Sequence, residues 1–352
     1  MKTETFDINK LIRENIKQMK PYASARSEFT SMAADMVFLD ANENPFENGL
    51  NRYPDPQQLS LKQVLAQQKN VQTENILLGN GSDEVLDLIF RVFCEPSRDN
   101  VITLPPTFGI YDVLANTNNI ENRKVVLNKN FQPDVDAILA RTDVNSKLLF
   151  ICSPNNPTGN TIDEESITRL LNSFHGLIVI DEAYIDFSSK ESWVTKLNEF
   201  PNLIITQTLS KAYGLAGIRL GICYASKEII AVLNKIKLPY NINELTQLKA
   251  LEKVVMIKEI KNEIFSILSE KEGLLKELLQ INFIEKIYPS DANFILIKVD
   301  DANKRYQQLI EKGIVLRNRT AQALLENCLR ITVGTNKENE KLIKSLLLIS
   351  QC

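Results

Sequence analysis

Lys211 lies in T-L-S-K-A-Y-G-L-A-G-I-R-L-G at 208–221, directly after the apolar run Leu203–Gln207. A lysine beside hydroxyls and close to an arginine can have a lowered pKa, which suits imine formation with a carbonyl compound. Arg219 can fork onto a phosphate, and Thr208 and Ser210 can add hydroxyl donors. A lone loop lysine is usually a solvated side chain, and these neighbours argue against that here.

Four further motifs follow candidate strand ends. In G-N-G-S-D-E at 79–84, glycines turn the chain and Ser82 can cap the next helix. Backbone N–H groups at a helix start bind anions, so Ser82 and Asp83 are candidates for a phosphate cradle. In P-P-T-F-G-I-Y at 105–111, Phe108 can stack on a flat ring. In S-P-N-N-P-T-G at 153–159 the prolines fix a loop that leaves Asn156 free to donate an amide hydrogen to a phenolate-like oxygen. In I-V-I-D-E-A-Y at 178–184, Asp181 ends a buried strand and needs a charged or hydrogen-bonded partner. A pyridinium N–H is such a partner, and holding it protonated makes the ring an electron sink. Tyr184 can reach that ring's 3-oxygen. A metal is not expected, because the one histidine, His175, has no ligand pattern around it. Together the motifs supply a phosphate cradle, a stacking ring, a 3-oxygen donor, a pyridinium partner and a Schiff-base lysine. That set fits pyridoxal phosphate (PLP).

The elements that position these residues follow from apolar patterning. Strands are expected at Ile76–Leu78, Val101–Leu104, Val125–Leu127, Leu148–Cys152, Leu177–Ile180 and Leu203–Gln207. Helices are expected at Leu59–Gln68, Ser82–Phe93, Gly109–Asn116, Val135–Ala140 and Glu164–Ser173. Such alternation predicts an α/β chain whose mostly parallel sheet binds ligands beyond its C-terminal strand ends. Residues 243–280 read as one long helical stretch, followed by strands at Phe294–Val299 and Cys328–Val333 and a final helix from Glu338. The expected division is an N-terminal arm at 1–40 with a short helix near Ile8–Met19, a large domain at 41–240, and a smaller α+β C-terminal domain at 241–352. The arm is expected to pack with the smaller domain.

Bulk properties agree with a soluble enzyme. The 352 residues suit about two domains at ~150 residues each. Net charge is −3 with no long basic block, so nucleic acid is not an expected partner. The five cysteines are scattered and form no C-x-x-C, which suits a reducing compartment. No secretory leader and no apolar run near the roughly 20 residues of a membrane span is evident, so the expected location is cytoplasmic.

The motifs carry a resemblance. L-D-A-N-E-N-P at 39–45, R-Y-P-D-P at 52–56, G-N-G-S-D-E, S-P-N-N-P-T-G, D-E-A-Y, L-S-K-A-Y-G-L-A-G-I-R, D-A-N-F at 291–294 and L-R-I-T-V-G-T at 329–335 resemble the fold-type-I PLP-dependent aminotransferases. The resemblance is closest to the histidinol-phosphate aminotransferase family of histidine biosynthesis, and it runs nearly the whole length. It implies that Lys211 forms the Schiff base and shuttles the proton. It implies that Asp181 pairs the ring nitrogen, that Tyr184 and Asn156 bind the 3-oxygen, and that Phe108 stacks where relatives often carry tyrosine. Ser82, Asp83, Thr208, Ser210 and Arg219 would hold the cofactor phosphate. Tyr53 is similar to a tyrosine that reaches across a homodimer to the partner's cofactor phosphate. Tyr22, Asn42, Arg317 and Arg330 would contact substrate, with Arg317 favoured over Arg319, which reads as a surface arginine. The implied substrates are histidinol phosphate and the 2-oxoglutarate/glutamate pair. The alternatives are an aromatic amino-acid aminotransferase, a threonine-phosphate decarboxylase and, least of all, a non-catalytic binding module.

Overall fold

A computed structural model of the chain describes residues 6–22 and 36–351. Seven strands form the main sheet: β1 (Ile76–Asn80), β2 (Asn100–Thr103), β3 (Glu121–Lys124), β4 (Ser146–Cys152), β5 (Leu177–Asp181), β6 (Leu203–Thr208) and β7 (Leu220–Ala225). Their order is β1-β7-β6-β5-β4-β2-β3, with β7 antiparallel to both neighbours and the rest parallel. β5 and β6 are buried along their whole length, as strands covered on both faces must be. Helices α1 (Glu14–Gln18), α2 (Leu59–Lys69), α3 (Gly81–Phe93), α4 (Ile110–Thr117), α5 (Val135–Ala140), α6 (Glu164–Ser173), α7 (Lys227–Ile236) and α8 (Glu244–Val254) cover it. One core gathers α2, α5, α6 and α8, and the other gathers α1, α3, α4 and α7.

A second, antiparallel sheet follows helix α9 (Ile257–Leu278). It contains β8 (Ile284–Ile287), β9 (Phe294–Val299), β10 (Arg317–Asn318) and β11 (Cys328–Thr332), in the order β10-β11-β9-β8. Helices α9, α10 (Ala302–Glu311) and α11 (Asn336–Ser350) bury Leu274, Leu309 and Leu346 against it. The chain is therefore α/β, with a mostly parallel large sheet and a smaller antiparallel one.

Several expectations need correction. The expected strands omit β7, which the structure places between β1 and β6. β3 ends at Lys124 rather than covering Val125–Leu127, although those residues still run along β2's exit, with Val125 N–H donating to Thr103 O at 3.0 Å. The stretch 243–280 breaks at Val255–Met256, so that α8 packs on α2 while α9 packs on the smaller sheet. The Gln68 amide closes the break by donating to Val254 O at 2.7 Å. The described part of the arm packs on the large sheet, not on the smaller unit: Leu11, Ile12 and Ile16 are buried beside α3 and α7, and Arg13 pairs with Glu95 at 3.1 Å. Its expected helix is a 3-10 turn at Ile8–Lys10 and the short α1.

Candidate active site

A cavity of about 440 Å³ opens where β4, β5 and β6 end. The C-terminal edge of a parallel sheet is where backbone and side chains converge without a covering helix. Cys152, Asn156, Asp181, Tyr184, Thr208, Ser210 and Lys211 line it from the strand ends, and Ser82, Asp83, Phe108 and Arg219 close one side. Arg317, Arg319 and Arg330, from β10, β11 and the residue after β10, close the other.

Asp181 sits at the last position of β5 and is 2% exposed. Its carboxylate accepts from the Tyr111 hydroxyl at 2.8 Å and from the Ala183 N–H at 3.2 Å. Burial pushes its proton affinity up, and these two donors pull it back. A cationic N–H facing the carboxylate from the cavity would complete that compensation.

Lys211 is open to the cavity, but protein surrounds much of its amine. Burial pushes the amine's pKa down, and the charges of Arg330 and Arg219 push the same way. The ammonium lies 5.7 Å from the centre of the Tyr184 ring. Burial raises the Tyr184 phenol's pKa, which keeps it a donor.

The anion cradle depends on a close backbone approach. A Cβ on Gly221 would lie 2.2 Å from the carbonyl carbon of Gly81, so only glycine lets β7 touch the start of α3. Gly81 N–H donates to Arg219 O at 2.7 Å, and both residues have left-handed backbones. The first-turn N–H groups of α3 have no intrahelical partner and face an arginine. Arg219 is positioned by Asp83 at 3.4 Å and by Ser210 Oγ at 3.5 Å. Thr208 Oγ1 accepts from Ser210 N–H at 3.1 Å, so its hydroxyl shapes the turn that presents Ser210.

Asn156 is oriented from the opposite side. The Arg330 guanidinium donates to Asn156 Oδ1, which turns the amide nitrogen the other way. The loop carrying Asn156 is pinned by a residue the sequence reading passed over. Asn155 donates to Pro106 O at 2.8 Å and to Thr158 Oγ1 at 2.7 Å, and accepts from Thr107 Oγ1 at 2.9 Å.

The arginines contrast with these paired groups. Arg317 lies opposite Arg330 in the β10–β11 register. Arg319 is not a solvated surface arginine but lines the cavity. Its Nε and that of Arg330 are buried without a hydrogen-bond partner. Burial and the neighbouring guanidiniums push the Arg319 pKa down to about 10. Such a cluster is stable against an anion and poorly stable without one.

Tyr22, Asn42 and Tyr53 do not join this cavity within one chain. They line a separate one of about 1130 Å³ against Lys235–Tyr240, where Tyr53 stacks on Tyr240 with ring centres 4.5 Å apart. His175 is exposed, and no group of three potential metal ligands occurs among the described residues.

The donors suit pyridoxal phosphate: a buried acid with room for a cationic partner, a lysine of lowered pKa open to the cavity, and an N-terminal helix cradle with Arg219. Lys211 would hold its aldehyde carbon, Asp181 its ring nitrogen, Asn156 and Tyr184 its phenolic oxygen, and α3 with Arg219 its phosphate.

Comparison with known proteins agrees. The family described as aminotransferase class I and II matches residues 35–346. A histidinol-phosphate aminotransferase of Flavobacterium johnsoniae is 65% identical over 98% of this chain and 99% of its own. One from Christiangramia forsetii is 61% identical over 97% of both. Among solved structures, the histidinol-phosphate aminotransferase of Clostridium acetobutylicum is 25% identical, covers 86% of this chain and 91% of its own, and superposes with a TM-score of 0.79. One from Sinorhizobium meliloti in complex with pyridoxal 5'-phosphate also reaches 0.79, at 23% identity over 85% of this chain and 83% of its own, a likeness of fold. No described helix is long and apolar enough to cross a membrane.

Proposed function

We propose that this chain, which belongs to the class I and II aminotransferases and within them to the histidinol-phosphate aminotransferases, moves the amino group of histidinol phosphate to 2-oxoglutarate. The products are imidazole-acetol phosphate and glutamate. One observation carries the substrate reading. Three guanidiniums, two with a buried unpaired Nε, face the lysine and acid across the cavity. Both substrates present a group that can answer them: a phosphate on one, a distal carboxylate on the other.

Pyridoxal phosphate, when bound, supplies a carbonyl carbon that exchanges amines and a ring that stores an electron pair. The chain does the rest. Arg317, Arg319 and Arg330 hold the substrate anion and so fix the α-carbon near Lys211. The Lys211 amine, its pKa held below that of a free lysine by burial and by the charges of Arg330 and Arg219, would take the α-proton as general base and later return it. Asp181 holds the ring nitrogen's proton. Tyr184 and Asn156 donate to the phenolic oxygen. The working unit is a cytoplasmic homodimer in which Tyr53 of each chain contacts the partner's cofactor phosphate.

A half-reaction tests this. Histidinol phosphate added to holoenzyme without an oxo-acid should bleach the cofactor's visible band, and 2-oxoglutarate should restore it. Bleaching by phenylalanine but not by histidinol phosphate would move the substrate to the aromatic amino acids. Carbon dioxide release from threonine phosphate, without need of an oxo-acid, would make the protein a decarboxylase.

A further inference from the structure

Tyr111, in the first turn of α4, is 1% exposed and touches two cavity-lining residues at once. Its hydroxyl donates to Asp181 Oδ2 at 2.8 Å. Its ring stacks on Phe150 of β4 at 4.9 Å and meets the edge of Phe108 at 5.7 Å and 84°. A phenylalanine would fill this aromatic stack equally well. The hydroxyl is therefore the part that packing does not explain; it donates to the buried acid of the site and has the Cys152 thiol as a second polar neighbour.

We infer that Tyr111 is a positioning residue for the reaction: its hydroxyl fixes the Asp181 carboxylate in its ionised form toward the cofactor's ring nitrogen, while its ring, perpendicular to that of Phe108, sets the plane of Phe108. The inference rests on the reading of Asp181 as the partner of that nitrogen. Each Asp181 oxygen holds one protein donor, Tyr111 on Oδ2 and the Ala183 N–H on Oδ1, and keeps acceptor capacity for a further donor from the cavity that Asp181 lines. Charge-assisted hydrogen bonds in a dry site are strong, so loss of this one makes Asp181 a stronger base. The shared proton then moves from the ring nitrogen toward Asp181, and the ring stores electrons less well. The other titratable groups within electrostatic reach of Asp181 are Cys152 on β4, Tyr184 and Lys211 on the loops after β5 and β6, and Asp83 on α3.

The experiment is Tyr111→Phe holoenzyme reconstituted with cofactor labelled with nitrogen-15 in the ring. The ring-nitrogen resonance should move toward its unprotonated position. The value of kcat should fall about ten- to hundredfold while KM for histidinol phosphate and for 2-oxoglutarate stays within about twofold. An unmoved resonance with unchanged kcat, whatever happens to the melting temperature, would reduce Tyr111 to packing and overturn the inference. Asp181→Asn is the control. If it leaves the resonance protonated as well, the reading of Asp181 fails and takes this inference with it. If Asp181→Asn moves the resonance and Tyr111→Phe does not, only the inference about Tyr111 fails.

Discussion

The two sides of the cavity solve opposite problems. On the strand-end side most polar groups already have protein partners: Asp181 holds Tyr111, Arg219 holds Asp83 and Ser210, and Asn155 staples two loops. On the side built from β10 and β11, three arginines crowd together and two Nε groups are buried with nothing to bind. Preorganised hydrogen bonds suit a resident group, because the geometry is fixed before the group arrives. Unanswered cations suit ligands that come and go, because the anion's arrival relieves a strain that its departure restores. The difference separates where a cofactor stays from where substrates alternate.

The comparison is tested most severely at Lys211, which belongs to the paired side but does the chemistry. Lys211→Ala should lower multiple-turnover transamination by about 10⁴-fold or more, because nucleophile and general base are lost together. The measurement is steady-state glutamate formation. Retained turnover would sink the assignment of the whole site.

Arg330→Gln is the next largest. It removes one guanidinium from the substrate anion and also frees the Asn156 amide to turn. The kcat/KM for histidinol phosphate should fall by about 10²-fold, mostly through KM. Arg319→Gln should cost about tenfold in kcat/KM. In the ligand-free protein the same change should raise stability by up to about 1 kcal/mol, on the order of 2 °C in Tm, since it removes a crowded, half-buried charge. Asn155→Ala, across the cavity, should do the reverse and lose about 2–3 kcal/mol by leaving buried partners unsatisfied. Thermal melts of the two variants side by side read the contrast directly. Equal signs would erase the distinction between the two sides.

Most of the paired side was legible in the sequence, because its residues sit beside turn-forming motifs at strand ends. The same local patterning put α5 and α6 at Val135–Ala140 and Glu164–Ser173, and β9 at Phe294–Val299, where the structure has them. What stayed hidden depended on contacts far along the chain. β7 begins one residue after Arg219, inside the glycine-rich motif, so its strand character was masked by the loop before it. The split between α8 and α9 carries no proline or glycine; it reflects two helices packing on different bodies. Tyr111 becomes visible only when Asp181 is 2.8 Å away. Arg319 had a signal that was available. Side chains alternate along a strand, so if Arg317 faces the cavity, the residue two positions on faces it too. The short β10, whose assigned strand ends at Asn318, concealed that rule.

The smallest expected effect asks whether the two sides act on one another. Burial lowers the Lys211 pKa first, and the charge of Arg330, from the opposite side, lowers it further. A lysine whose pKa is depressed carries a neutral, nucleophilic amine at lower pH than a free one. Cofactor-free protein should therefore bind pyridoxal phosphate through Lys211 with a rate that rises with pH as the amine loses its proton. Arg330→Gln takes one nearby cation away, so the amine's pKa should rise and the whole rising limb should move to higher pH. The plateau rate above that limb should stay unchanged, because the neutral amine is the same nucleophile in both proteins. Stopped-flow rates of imine formation from about pH 6 to pH 10 measure both quantities. A limb that stays in place while the substrate KM rises would mean that Arg330 speaks only to the substrate, and that the lysine's reactivity is set by burial and by Arg219 on its own side.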